Sequence, residues 1–319
     1  MKKTRGPTEG EELADRELCT RRNETRSEQD MATRTDRNDP SSITQAEVER
    51  LLQVAEAAAT IGGEVLTRYF RDGVVIRDKS ATGGASYDLV SDADLESERR
   101  IGETIAAAFP DHQLLGEESL GRTLDVASCD HLWVIDPLDG TNNFAHGLPH
   151  FAVSIAYYRF GQPIVGVVFN PIRDDWYMAA TGRGAEHNGR SVTVCQSQSL
   201  TETLVGCGFY YDRGEMMRCT LRAIEDFFSQ DVHGIRRFGT ASLDLCMVGC
   251  GQLGGFFEYR LSPWDFAAGR LFVEQAGGRV TTASGDALKL ETSCLLASNG
   301  RLHEAMLAIT RRHHPATRN

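Results

Sequence analysis

An α+β half followed by an α/β half is the fold class this chain predicts, and three observations carry it. The apolar runs "LWVID", "AVSIAYYRF", "PIVGVVFN" and "DWYMAA" follow one another across short gaps, as antiparallel strands do. Beyond about residue 190 the strand-like runs "TLVGCGF", "GFFEY" and "CLLAS" alternate with helical stretches. The length, 319 residues, suffices for one large domain or two ordinary ones. The predicted segments are an extension over residues 1–40, an N-terminal α+β half over 41–190 and a C-terminal α/β half over 191–319.

Residues 1–40 are rich in both charge signs and poor in apolar side chains, so they bury too little surface to offset their ordering entropy. They read as a disordered extension, or as a start placed upstream of Met31. They lack the apolar core of a secretory signal, and their acids disfavour a transit peptide. Order begins at Thr44, where Thr44-x-x-Glu47 has the form of a capping box. Val48, Leu51, Leu52, Ala55, Ala58 and Ala59 then recur at helical spacing, predicting a helix to about Phe70. "VVIR" at 74–77 reads as a strand, and residues 92–109 as a helix stopped before Pro110. "HNGR" at 187–190 carries the Asn-Gly hairpin signal. Further helices are expected near 214–229, 240–250, 263–276 and 300–311. A ligand site between the two halves is the natural expectation for such an arrangement.

Composition removes several function classes. The net charge of −11, with no compensating basic stripe, disfavours a nucleic-acid partner. No apolar run approaches a membrane span, so no membrane partner is expected. The eight cysteines form no CxxC pair and read as reduced thiols, which implies a cytoplasmic location.

"WVIDPLDGTNNF" at 133–144 holds the chemistry. An apolar strand runs into Asp136, and Pro137 keeps that residue extended, so its carboxylate is expected at the strand tip. Asp139-Gly140-Thr141 then turns the chain, and a short helix starts near Thr141. A helix start offers free N–H groups that suit phosphate. Two carboxylates beside it repel an anion unless divalent cations lie between them. The same residues also fit a plain Asp-Gly turn with Asp139 as a cap. Glu117 and Glu118 in "LLGEES" fit a solvated strand end. Asp94 in "DLVSDAD" and Asp265 in "SPWDFAAG" fit capping acids, the latter with Ser262 as N-cap and Pro263 at the first helical position.

Taken together, "DLVSDAD", "GEES", "WVIDPLDGTNNFAHGLPHFAVSIA", "GTASLDLC" and "EYRLSPWDFAAG" resemble the inositol monophosphatase family of metal-dependent, lithium-sensitive sugar-phosphate phosphatases. The resemblance covers roughly residues 44–312. It implies the layered α-β-α-β-α sandwich shared with fructose-1,6-bisphosphatase, a homodimer, and two to three Mg²⁺ ions, with Mn²⁺ as a substitute. Glu117, Asp136 and the Leu138 carbonyl look like ligands of a first ion, and Asp136, Asp139 and Asp265 of a second. A third ion would use Glu117 and water. The N-terminal half would thus carry most metal ligands, and the C-terminal half Asp265 and the substrate contacts. Asp94 and Thr141 look like the pair that activates the attacking water. The N–H groups of Gly140 and Thr141 would hold phosphate. Glu258, with the Gly239, Thr240 and Ala241 backbone, would face substrate hydroxyls. Lys79 matches an upstream lysine, although the loop "SATGGASY" is longer than in the family's shorter members.

Oxygen donors of this kind suit Mg²⁺ or Mn²⁺ better than zinc or copper. Nothing in the pattern requires a covalent phosphoenzyme, so direct in-line attack by metal-activated water is the simpler chemistry. "EYRLSPWDFAAG", with Glu258 seven residues before Asp265, most resembles the inositol phosphatase branch, which implies inositol monophosphate or a similar sugar or polyol phosphate as substrate; a carboxylate there can accept two hydroxyl hydrogen bonds. Arg260 could instead favour a second phosphate, as in fructose-1,6-bisphosphatase. A non-catalytic regulatory or binding protein on this scaffold is the alternative from another class.

Overall fold

A computed structural model of the protein describes residues 43–72, 76–78, 89–121 and 124–315. The predicted extension over 1–40 and the candidate Lys79 lie outside the described residues. The described residues from Gln45 to Pro315 form one compact unit.

The chain opens with helix α1 (Gln45–Asp72), the two-stranded ladder β1 (Ile76–Asp78) and β2 (Leu89–Ser91), and helix α2 (Asp92–Ala108). Seven strands then build the larger sheet in sequence order. They are β3 (Gln113–Gly116), β4 (His131–Asp139), β5 (Ala152–Arg159), β6 (Gln162–Asn170), β7 (Asp175–Ala180), β8 (Gly184–His187) and β9 (Arg190–Val192), with the short helix α3 (Thr141–Ala145) after β4. The β3–β4 pair is parallel, and the later neighbours are antiparallel. The Asn-Gly signal is a two-residue hairpin: Asn188 and Gly189 both take positive φ, and His187 pairs with Arg190.

The second sheet draws on β10 (Leu204–Cys207), helix α4 (Glu215–Ser229), β11 (Gly234–Arg236), helix α5 (Ala241–Gly249), β12 (Gly255–Leu261), helix α6 (Pro263–Gln275), β13 (Arg279–Thr281), β14 (Ser293–Ser298) and helix α7 (His303–Arg312). Its order is β11-β10-β12-β14-β13, parallel around β10 and antiparallel around β14.

Burial on both faces explains the apolar runs. Leu132, Val134, Ala156 and Tyr158 of the larger sheet share a core with Leu243, Cys246, Ala267 and Phe272 of α5 and α6. Helices α1 and α2 pack on the strands from the other side. In β12 the faces alternate: Phe256 joins α5 and α6, while Phe257 joins α4 and α7. The layers therefore run α1/α2, seven-stranded sheet, α5/α6, five-stranded sheet, α4/α7, which is the α-β-α-β-α sandwich the resemblance implied. Among the described residues no helix is long and apolar enough to cross a membrane.

Candidate active site

The sequence places the end of a strand at Asp136; the structure carries β4 on to Asp139. Asp136 pairs with Ser154 and Asp139 with Ala152, so three steps along β4 match two along β5. One extra residue is accommodated in a bulge, where the missing N–H of Pro137 costs no ladder bond. In a regular strand, residues three apart point to opposite faces. The bulge removes that parity, and Asp136 and Asp139 emerge on one face.

Gly140 follows with φ +94°, and a Cβ there would overlap the Thr240 hydroxyl. The close approach joins two distant segments. Asn143 of α3 donates to His150 O and Phe238 O, both at 2.8 Å, and Thr240 Oγ1 donates to His150 O at 2.9 Å. The start of α5 is thereby held against the end of β4. Asp139 Oδ2 accepts from Ser242 N at 2.7 Å.

A cavity of about 370 Å³ lies at this junction. It is lined by Glu117, Asp136, Leu138, Asp139, Gly140, Thr141, Gly239, Thr240, Ala241, Glu258, Arg260 and Asp265, so it gathers candidates from both sheets. Asp94 is buried in the first turn of α2 and is not among the lining residues. Arg260 is exposed, with its guanidinium 4.7 Å from the Tyr210 ring centroid.

Glu117 owes its place to a buried neighbour. Glu98 on α2 accepts from Glu118 N (2.8 Å), Ser119 N (2.7 Å) and Ser119 Oγ (2.5 Å), which pins the turn after β3. Asp265 sits in the first turn of α6 and accepts from Ser262 N at 2.6 Å. The capping reading is thus realised, and the same residue lines the cavity. Glu258 projects from β12 toward Gly208, where a Cβ would overlap its carboxylate. A side chain at 208 is therefore incompatible with this Glu258 rotamer.

The acids are held by backbone amides as well as by proximity. Asp136 Oδ1 accepts from Leu138 N at 3.0 Å, and the Leu138 carbonyl accepts from Thr141 Oγ1 at 3.2 Å. Among the described residues no three His, Cys, Asp or Glu side chains stand ready as a closed metal cage. Each aspartate accepts from a backbone N–H: Asp136 from Leu138, Asp139 from Ser242 and Asp265 from Ser262. Burial, more than the neighbouring carboxylates, shifts their protonation. Burial, then Glu117, Asp139 and Asp265, push the Asp136 carboxyl well above the usual range. Burial raises Asp139 to about 6 against the opposing Ser242 and Ala241 donors. Burial and Asp139 raise Asp265 to about 8. Burial, Asp265 and Asp244 push Glu258 well up.

Two charged cavity residues escaped the sequence reading. Asp244 lies on α5, fully buried, with Oδ1 unpartnered and Arg237 as the nearby opposing charge. Its signal was present as an acid amid the apolar "ASLDLC". Arg237 gave none, because only the fold brings it to the cavity wall. No cysteine is among the residues that line this cavity. Cys207 precedes Arg213 by the Cys-x5-Arg spacing of cysteine-based phosphatases, but it is fully buried and burial pushes its thiol up to about 12.

The sequence model of the inositol monophosphatase family matches residues 47–315. The chain belongs to the inositol monophosphatase family. Within it, the chain is 39% identical over 269 residues to the inositol-1-monophosphatase of Rhizobium meliloti, covering 83% of this chain and 98% of that one. It is 38% identical over 272 residues to the Nus factor SuhB of Pseudomonas aeruginosa, covering 84% and 98%. The solved inositol monophosphatase of Anabaena (Nostoc) superposes with a TM-score of 0.72 at 36% identity, covering 83% of this chain and 97% of that one. The family assignment agrees with the five-layer sandwich.

Proposed function

We propose that the protein is a Mg²⁺-dependent phosphomonoester hydrolase acting on inositol monophosphate or a similar polyol phosphate. The observation that carries this reading is the β4 bulge, which turns Asp136 and Asp139 to one face of a cavity that also holds Glu117, Asp265 and Glu258. The donor set fits a hard divalent cation: four carboxylates and a main-chain carbonyl, all oxygen, around one cavity. Glu117, Asp136, Asp139, Asp265 and the Leu138 carbonyl would hold two ions, and a third would rest on Glu117. Bound cations would neutralise the phosphate, acidify water and stabilise the leaving oxygen.

The chain's own groups supply the rest. The Gly140 and Thr141 N–H groups bind phosphate oxygens, and the Thr141 hydroxyl with Asp94 orients the water. Glu258 and the Gly239–Ala241 backbone face the polyol. A cytoplasmic homodimer is the assembly we propose, which size-exclusion chromatography with light scattering tests. Arg260 supports a second reading, a bisphosphate substrate such as fructose 1,6-bisphosphate, because it borders the cavity as an exposed cation. The SuhB relative supports a regulatory role, which a Mg²⁺-dependent turnover would not by itself exclude but an inert protein would favour.

Glu258→Gln tests the substrate class. Gln keeps the size but replaces a two-oxygen acceptor with one acceptor and one donor. The mismatch costs about 1–3 kcal/mol on a substrate with adjacent hydroxyls, or roughly 5- to 150-fold in kcat/KM. An aryl phosphate should change little. Equal losses on inositol 1-phosphate and the aryl ester would remove Glu258 from polyol recognition.

Acidity offers a second check. Asp139 and Asp265 are raised to about 6 and about 8 from an unfolded value near 4. The metal-free folded state thus binds more protons than the unfolded chain in that window, and the associated stability falls as pH rises from about 4 through 8. Mg²⁺ competes with those protons. The rise in Tm on adding Mg²⁺ is therefore expected to be larger at pH 8 than at pH 6, with protons released on binding. A pH-independent Tm shift would contradict the assignment.

A further inference from the structure

A second cavity, of about 770 Å³, lies by the face of the five-stranded sheet that turns away from Glu258. Tyr259 forms part of its wall, with Cys294 and His314. Cys294 sits at the second position of β14, where the register with β12 shifts between Glu258 and Leu261. His314 Nε2 stands 3.2 Å from Cys294 Sγ, and His314 Nδ1 lies 2.8 Å from Pro315 O. That carbonyl can accept only from Nδ1–H, which leaves Nε2 facing the thiol as the proton acceptor. The Tyr259 ring packs edge-on against the imidazole, with centroids 5.7 Å apart. The result is a nucleophile, a base and a group that orients the base.

We propose that Cys294 and His314 form a reactive thiol site that undergoes thiol–disulfide exchange with low-molecular-weight disulfides entering this cavity. In the exchange, His314 Nε2 holds the Cys294 proton and Sγ attacks one sulfur of the small disulfide. The new sulfur–sulfur bond forms as the old one breaks. The departing thiolate takes the proton, so one thiol is oxidised as the other half-molecule is reduced.

The electrostatic surroundings agree with the geometry. Burial opposes the charged form of Cys294, but the His314 hydrogen bond and charge, with the Ala283 and Ser284 amides, outweigh it and hold the thiol below its ordinary value. The Cys294 hydrogen bond in turn raises His314, opposed by burial and helped by the Pro315 carbonyl and Asp286. Asp212, Glu215, Arg218 and Arg260 are the other charged groups around the cavity, and Arg218 stands 3.8 Å from Glu215. Among the other described cysteines, Cys129, Cys207, Cys219 and Cys246 are buried, burial pushes the half-buried Cys250 to about 12, and Cys195 is half-buried.

The test treats the reduced full-length protein with oxidised glutathione and follows each cysteine by peptide mapping across pH. Cys294 should form the mixed disulfide several-fold faster than Cys195 and more than about tenfold faster than Cys250. Its rate should reach half-maximum below the ordinary thiol value near about 8.5. His314→Gln should move that midpoint upward, and Cys294→Ser should abolish the adduct while leaving phosphate release unchanged. A wild-type midpoint at or above the ordinary value, or Cys294 reacting no faster than Cys195, overturns the proposal, whatever the variants do.

Discussion

Asp136→Asn should lower Mg²⁺-dependent phosphate release by more than about 100-fold. That exceeds the cost of losing an outer partner of a metal ligand, because Asp136 is proposed to touch both principal ions. The same change should stabilise the metal-free protein. Asp136 is buried beside Glu117, Asp139 and Asp265, and the fold holds its carboxyl far above the unfolded value. At pH 8 its ionisation opposes folding, and the amide removes that opposition while Oδ1 still accepts from Leu138 N. Each kcal/mol recovered raises Tm by about 2–4 °C in a domain of this size class. Loss of activity with unchanged or raised Tm in chelator is the expected pair of results. Loss of both would make Asp136 a structural residue.

Thr141→Ala should lower kcat by roughly 10²–10⁴-fold, the usual cost of removing positioned acid–base help. The backbone N–H groups proposed to hold phosphate stay in place. In the structure the hydroxyl donates to the Leu138 carbonyl, a candidate ligand of the first ion. Steady-state kinetics with a Mg²⁺ titration separates the roles. A fall in kcat at constant Mg²⁺ affinity assigns Thr141 to the water. A weaker Mg²⁺ response with kcat restored at high Mg²⁺ would assign it to the Leu138 carbonyl instead.

Much of the fold was legible because its elements announce themselves locally. The apolar stripe of α1, the Asn-Gly hairpin between β8 and β9, and the Ser262-Pro263 start of α6 are decided by residues close in sequence. The strands β11 and β13 are three residues each, too short to show a period. Pro137 misled for a physical reason. A proline rule tells how residue 136 is bent, but whether the strand resumes depends on β5, which takes up the extra residue. The candidate acids were singled out by the family resemblance, since each alone also fits a cap, a turn or a strand end. What the sequence does not show is how they are brought to one cavity, which needs the Asn143 and Thr240 hydrogen bonds across the two sheets. Arg237 and the Cys294–His314 pair acquire their meaning only from the fold, which sets Arg237 on the cavity wall and His314 against Cys294.

The central claim is that these acids hold cations for phosphoester hydrolysis. Phosphate release from inositol 1-phosphate, measured with excess Mg²⁺, with excess chelator, and with Mg²⁺ plus lithium, tests it most directly. The account predicts turnover in the first, none in the second and inhibition in the third. Full turnover in excess chelator would contradict it.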